Sequence, residues 1–202
     1  MTKHIYLFRH GETEWNKLEK VQGLKDIELS QEGIEQAKNI PQHLQSKNIE
    51  IIFSSHLKRA YETAEVVAKK LDLKIIVHQN LHEIDFGDAA GKHRSELSNL
   101  YEKIEKNWTS ADPKYDNLRF PNAESKIEVR TRGLNALKEI VEKYSFNNIG
   151  ISSHGFIIKQ LIIASGSDDH KYLQNCEIVH IKYNGDKFEF VERIKTQGDA
   201  EI

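Results

Sequence analysis

Leu7-Phe8-Arg9-His10-Gly11-Glu12-Thr13-Glu14-Trp15-Asn16 comes directly after the apolar residues Ile5 and Tyr6 and sets a histidine beside a fixed cation where a strand ends. Gly11 marks a turn there, because glycine tolerates backbone angles closed to other residues and lets a ligand approach the main chain. The combination reads as a phosphate site with a nucleophile in it. Arg-His-Gly alone is three common residues and would mean a solvated turn. The strand in front, and Thr13, Trp15 and Asn16 at set offsets behind, tip the reading towards a site.

The rest of the chain bounds what such a site can serve. Its 202 residues suffice for one well-buried core, and a single domain spanning 1–202 is expected. Hydrophobic residues make up 38% and charged residues 30%, with a formal net charge of -2, the balance of an ordinary globular protein. The 29 basic residues are scattered among 31 acidic ones, so no basic face is offered to nucleic acid and any anion site must be local. The one cysteine, Cys176, excludes an internal disulfide and reads as a small buried hydrophobe. No signal-like apolar segment or membrane-length run appears, so the expected setting is the cytoplasm, away from membranes. The oligomeric state is open, a homodimer included.

Short apolar runs of strand character occur at 5–8, 50–53, 74–77 and 148–152, with helical patterns between them. From Leu57, the positions Ala60, Tyr61, Ala64, Val67, Ala68 and Leu71 repeat at helical spacing and lay one face against a sheet. After Ser30, the residues Ile34, Ala37, Ile40 and Leu44 form another stripe, which Pro41 is expected to kink or divide. Leu97, Leu100, Tyr101, Ile104 and Trp108 predict one helix, and Ile127 to Tyr144 a longer one beginning near Asn122. The end of the chain reads as a hairpin about Asn184-Gly185-Asp186. The expected fold class is α/β: a three-layer α/β/α sandwich on a mostly parallel sheet with one antiparallel strand.

In such sheets, ligands sit beyond the carboxyl ends of the strands, so the residues after each apolar run are the candidates. They are Arg9, His10 and Gly11; Ser54, Ser55 and His56, with Arg59 one turn into the next helix; and Ser152, Ser153, His154 and Gly155. Two strand ends carry His-Gly, and guanidinium forks match phosphate oxygens better than ammonium groups do. His10 as a neutral nucleophile, His154 as its protonated partner, Arg9 and Arg59 as charge neutralisers and Asn16 as a further donor fit phosphoryl transfer through a phosphohistidine. An acid is also needed for the leaving oxygen. Glu83, Asp85 and Asp88, after the third run, all qualify on position alone. His56 reads as a cap for the following helix. His4, His43, His78, His82, His93, His170 and His180 follow no ligand spacing and read as surface or strand residues. No metal-ligand cluster and no Walker-type glycine loop is present in the sequence.

The decapeptide resembles the signature of the histidine phosphatase superfamily, the phosphoglycerate mutase-like proteins. Similar matches run from residue 5 to about 165: Gln22-Gly23, Leu29-Ser30 with Gly33 and Gln36-Ala37, Ser54-Ser55 with Leu57, Arg59-Ala60 and Thr63-Ala64, Glu83 with Gly87, Glu124-Ser125, and Ser153-His154-Gly155. The resemblance implies the phosphoglycerate mutase-like fold. It also implies His10 as the phosphorylated nucleophile, Glu83 as the proton donor, and Arg9, Asn16, Arg59 and His154 around the phosphate. Gly11, Thr13, Gln22, Gly23 and Gly155 follow as further substrate-binding positions, and neither a metal nor another cofactor is required. Where relatives often carry Trp-Glu-Gly, this chain has Ala89-Ala90-Gly91, which takes an aromatic and a carboxylate away from the pocket.

The function these features imply is hydrolysis of a phosphomonoester of a small phosphorylated metabolite, with the segment 92–123 as a cap-like insertion over the pocket. The chain lacks the Arg-His-Tyr that follows the acid in classical mutases, so a 2,3-bisphosphoglycerate-dependent phosphoglycerate mutase comes second. A non-catalytic phosphate-binding module comes third, because binding alone needs neither nucleophile nor acid.

Overall fold

A computed structural model describes residues 2–108, 110, 112–167 and 171–197. Strands β1 (Lys3–Arg9), β2 (Ile51–Ser54), β3 (Ile75–Val77), β4 (Asn148–Ser153), β5 (Ile178–Tyr183) and β6 (Phe188–Ile194) form one sheet in the order β3-β2-β4-β1-β5-β6. Pairing is parallel from β3 through β2 and β4 to β1, and antiparallel at β1–β5 and β5–β6. One strand, β5, therefore runs against the other five, as the sequence predicts.

The unbroken apolar run of β1 follows from its central place, since a strand covered on both faces has no polar side to present. Ile5 and Leu7 pack with Phe53, Ile149 and Ile151 against α7 (Lys126–Lys143) and α8 (Gly155–Ala164). Tyr6, Phe8 and Ile52 face the other way, towards α2 (Gln31–Ala37), α3 (Ile40–Leu44) and α4 (Lys58–Leu71). Cys176 is wholly buried in this second cluster. Each fully buried Phe or Leu side chain contributes about 1.5–3 kcal/mol to holding the layers together.

The remaining helices are short: α1 (Glu14–Lys17) behind the opening decapeptide, and α5 (Arg94–Leu100) and α6 (Glu102–Trp108) in the predicted cap. Backbone pairing ties the start of that cap to the first loop. Lys20 bridges to His93, Val21 N–H donates to the Lys92 carbonyl, and Arg94 N–H donates to that of Glu19.

Local chemistry explains the differences from the sequence reading. The helix predicted over 97–108 breaks at Tyr101, whose φ of -138° leaves the helical region while its ring packs on Phe120, 5.4 Å between centroids. The helix expected from Asn122 begins at Lys126, because Ser125 and Glu128 close a capping box there and Asn122 is in a left-handed turn with φ of 58°. His56 does not cap α4. Leu57 occupies the capping position, and Asp26 Oδ1 accepts the Lys58 N–H from across the surface at 2.7 Å. Pro41 divides the second stripe into α2 and α3 as expected. Among the described residues no helix is long and apolar enough to cross a membrane, and His170 lies outside them.

Candidate functional site

The carboxyl ends of β1, β4 and β2 lie side by side, with Arg9 level with Ser153 and Ser54 level with Ser152. The ladder continues one step further, His10 N–H donating to the Ser153 carbonyl and Ser55 N–H to that of Ser152, both at 3.0 Å. His10, His154 and Ser55 thus leave three adjacent strands at the same level. The rings of His10 and His154 meet edge to face, 5.3 Å between centroids.

His10 is buried, and its Nδ1–H donates to the Gly11 carbonyl at 2.7 Å. A carbonyl can only accept, so this contact fixes the tautomer and leaves Nε2 unprotonated, with its lone pair as an acceptor. Burial first, then the charges of Arg59 and Arg9, hold the ring well below its ordinary pKa of 6.5, the hydrogen bond to Gly11 opposing them. The imidazole is neutral at physiological pH, as a nucleophile must be. Arg59 Nε–H donates to that same Nε2 at 3.3 Å, while its Nη1 and Nη2 donate to the carbonyls of Lys25 and Gly23, each at 2.8 Å.

Gly11 is required for a reason other than the one its sequence context suggests. Its backbone is not left-handed, but a Cβ there would overlap the carbonyl of Gly33, and one on Gly33 would overlap the carbonyl of Glu12. Two glycines are in contact back to back, which seats the nucleophile loop on α2.

Arg9 Nη1 donates to the Leu173 carbonyl at 2.6 Å, and its guanidinium lies over the Tyr172 ring at 5.1 Å. His154 Nε2 meets Ser55 Oγ at 2.9 Å. Arg9 Nε and His154 Nδ1 are both buried without a hydrogen-bond partner, the kind of polar atom that an anion satisfies. Burial, Arg59 and His10 hold His154 well below its ordinary pKa. It is neutral here, so the protonated His154 of the sequence reading belongs to a state in which a bound dianion offsets those charges.

Glu83 arrives from the loop after β3. Its carboxylate accepts N–H groups from Ile84 at 3.0 Å, Phe156 at 3.1 Å and Ile157 at 3.2 Å. The last two open α8, so the Glu83 carboxylate is held at the helix N-terminus that starts one residue after His154. Asp85 Oδ1 instead accepts the Gly87 N–H in its own turn, and Asp88 pairs with Asn122, so both rivals are engaged elsewhere.

One cavity collects Arg9, His10, Asn16, Gln22, Gly23, Arg59, Glu83 and Gly155 from the expected set. Gly11, Thr13 and His154 are buried and form no part of its wall. Thr13 caps α1 in a capping box with Asn16, whose Oδ1 accepts both the Thr13 N–H and its hydroxyl. That network turns the Asn16 amide nitrogen away from Thr13 as a donor.

The far wall was not legible in the sequence. Phe86, Trp108, Phe120 and Phe156 line it, Trp108 stacking on Phe156 with 5.0 Å between centroids. Charges at this end come from Lys20, Arg94, Glu105 and Lys159. Arg94 also lies over the Tyr172 ring, 5.5 Å from its centroid, and donates to the Tyr172 hydroxyl at 3.2 Å. Ala89 fills a small core with Val21, Leu97 and Phe120. The aromatic and the carboxylate expected to be missing beside Ala89-Ala90 are supplied to the cavity by α6, as Trp108 and Glu105.

Comparison with known proteins places this geometry. Residues 5–196 match the histidine phosphatase superfamily (branch 1). PhoE of Bacillus subtilis, a phosphatase named as uncharacterized, is 32% identical over 87% of this chain and 83% of its own length. Phosphoglycerate mutase-like protein 4 of Arabidopsis thaliana is 32% identical over 91% of this chain and 81% of its own. Among solved structures, phosphoserine phosphatase of Entamoeba histolytica in complex with phosphoserine superposes with a TM-score of 0.81 at 29% identity, covering 96% of this chain and 98% of that one. The chain belongs to the histidine phosphatase superfamily, branch 1. Within it, this is a phosphomonoester hydrolase of the histidine phosphatase type.

Proposed function

We propose that the protein hydrolyses a small phosphorylated metabolite through a phosphohistidine on His10, without a metal ion. The observation that carries this is the unprotonated Nε2 of His10, which accepts from Arg59 in a cavity that also contains Arg9 and Glu83. His10 Nε2 attacks phosphorus and the bond from phosphorus to the ester oxygen breaks, while the Glu83 carboxyl gives that oxygen its proton. Water then attacks the phosphohistidine, Glu83 takes a proton from it, and the N–P bond breaks to release phosphate and restore His10. Arg9 and Arg59 neutralise the transferring group throughout, the task a metal performs elsewhere, and a protonated His154 donates to its oxygens.

The substrate reading rests on the far wall. Lys20 and Arg94 offer positive charge at the mouth, and the Entamoeba histolytica relative was solved with phosphoserine, a small phosphomonoester carrying a carboxylate. A leaving group with its own negative charge fits this cavity. The mutase-like Arabidopsis relative keeps phosphoryl return to substrate as the second reading. Cytoplasmic location and the cap role of 92–123 belong to the same proposal.

The test is hydrolysis of a generic aryl phosphate in excess chelator by wild type and His10→Ala. Activity that survives chelation and disappears in the variant is expected. Loss on chelation, or retention in His10→Ala, overturns the phosphohistidine reading, and no activity on any phosphomonoester favours the binding module. With 3-phosphoglycerate and a trace of bisphosphate, phosphate release is expected; isomerisation without release makes the protein a mutase.

A further inference from the structure

Lys126 is the first residue of α7, where a positive charge opposes the helix dipole, and it is 2% exposed. Neither fact suits a lysine kept for the helix itself. Its ammonium reaches out of α7 and donates to the carbonyls of Asn107, in the last turn of α6, and Ser110, two residues past its end, each at 2.9 Å. It also lies 5.7 Å over the Trp108 ring and 6.0 Å over that of Tyr115. Among the described residues no carboxylate lies within ion-pair distance of it; the nearby Asp116 is bound bidentately by Arg130. A buried cation compensated by helix-end carbonyls and two ring faces holds those groups in one arrangement.

What it holds is Trp108, which stacks on Phe156, and Phe156 donates its N–H to Glu83. We infer that Lys126 is a positioning residue, a clasp that fixes α6 so that Trp108 closes the leaving-group end of the cavity, setting substrate affinity without touching substrate. The inference rests on the phosphatase reading for its kinetic consequence and on geometry alone for the clasp. Burial first, with Lys159 and Arg130 acting in the same direction and Asp116 opposing them, brings the ammonium down to about 8. Around it stand Tyr115 and Asp116 from the segment before α7, Arg130 from α7 and Lys159 from α8. Losing the proton near that pH removes the cation while both carbonyls stay, so the clasp loosens at alkaline pH.

The experiment uses Lys126→Met, which keeps the buried stem and removes the charge, and Trp108→Ala, alone and combined. For an aryl phosphate, KM rises about tenfold in Lys126→Met with kcat carrying little of the loss, and the double variant shows no further rise. Inhibition by inorganic phosphate, which needs only the inner site, is the check that the fold survives. In a Trp15→Phe background, Trp108 is the sole tryptophan; its fluorescence titrates near pH 8 and the titration vanishes in Lys126→Met. Additive effects on KM, equal loss of kcat and phosphate inhibition, or a Trp108 signal flat across pH 7–9 overturn the clasp. Wild-type inactivity on every phosphomonoester would defeat the phosphatase reading while leaving the fluorescence test standing.

Discussion

The two ends of the cavity are built by different means. At the phosphate end, Arg9, His10 and His154 leave adjacent central strands, Arg59 enters from the first turn of α4, and all four side chains are buried. At the leaving-group end, Arg94, Glu105 and Trp108 ride on helices of seven residues each that attach through loop pairing and aromatic contacts. Backbone ladders set positions at one end, and side-chain packing at the other. On the proposed mechanism, chemistry is thereby fixed where the backbone ladders hold the site, and choice of substrate is left where substitutions are tolerated.

That contrast breaks if substitutions at the two ends have like effects. The largest effect is expected from His10→Ala, which removes the proposed nucleophile and lowers kcat at least about 10³-fold, measured by single-turnover phosphate release. Arg59→Lys keeps the charge but loses the fork shared among Gly23, Lys25 and His10, and about 10²-fold in kcat/KM goes with it; a loss under threefold would mean that charge alone matters. Trp108→Ala is expected to raise KM about tenfold for an aryl phosphate while inorganic phosphate inhibits as before. A matching loss of phosphate affinity would show that the two ends are one unit.

The smallest effect is on stability. His10 and His154 have folded pKa values below the ordinary 6.5, so below that pH the unfolded chain binds more protons than the native one. Their contribution is complete above about pH 6.5 and is lost as pH falls from there towards the folded values. The Tm measured by scanning calorimetry should drop through that window in wild type and drop less in His154→Gln. Phosphate should steepen its own binding there, since a bound dianion favours the protonated His154 and binding then takes up a proton.

Sequence showed one end and not the other for the same physical reason. Arg9, His10 and His154 sit directly after apolar runs, and the position of a strand end is a local signal. Glu83 was legible as a carboxylate after β3, but its hold on Phe156 and Ile157 needed the fold, because the partners are more than 70 positions away. Trp108 read as a helix residue until α5 and α6 were folded over the cavity, and Tyr172, which both Arg9 and Arg94 approach, had no local mark. Gly11 was rightly singled out for a reason that fails: the constraint is contact with Gly33, 22 positions on, and not a torsion. His56 was misread because its supposed task fell to Asp26, 30 residues upstream.

The place of β4 has a consequence in time. It lies between β1 and β2, so the strand carrying His10 and the strand leading to Arg59 are not joined in one sheet until residues 148–153 insert between them. A chain emerging from the ribosome presents its nucleophile first and the wedge that completes the pocket more than a hundred residues later. On the proposed mechanism, phosphoryl chemistry is thus withheld from every nascent chain shorter than about three-quarters of the protein, and the opening decapeptide is inert until the sheet closes around it.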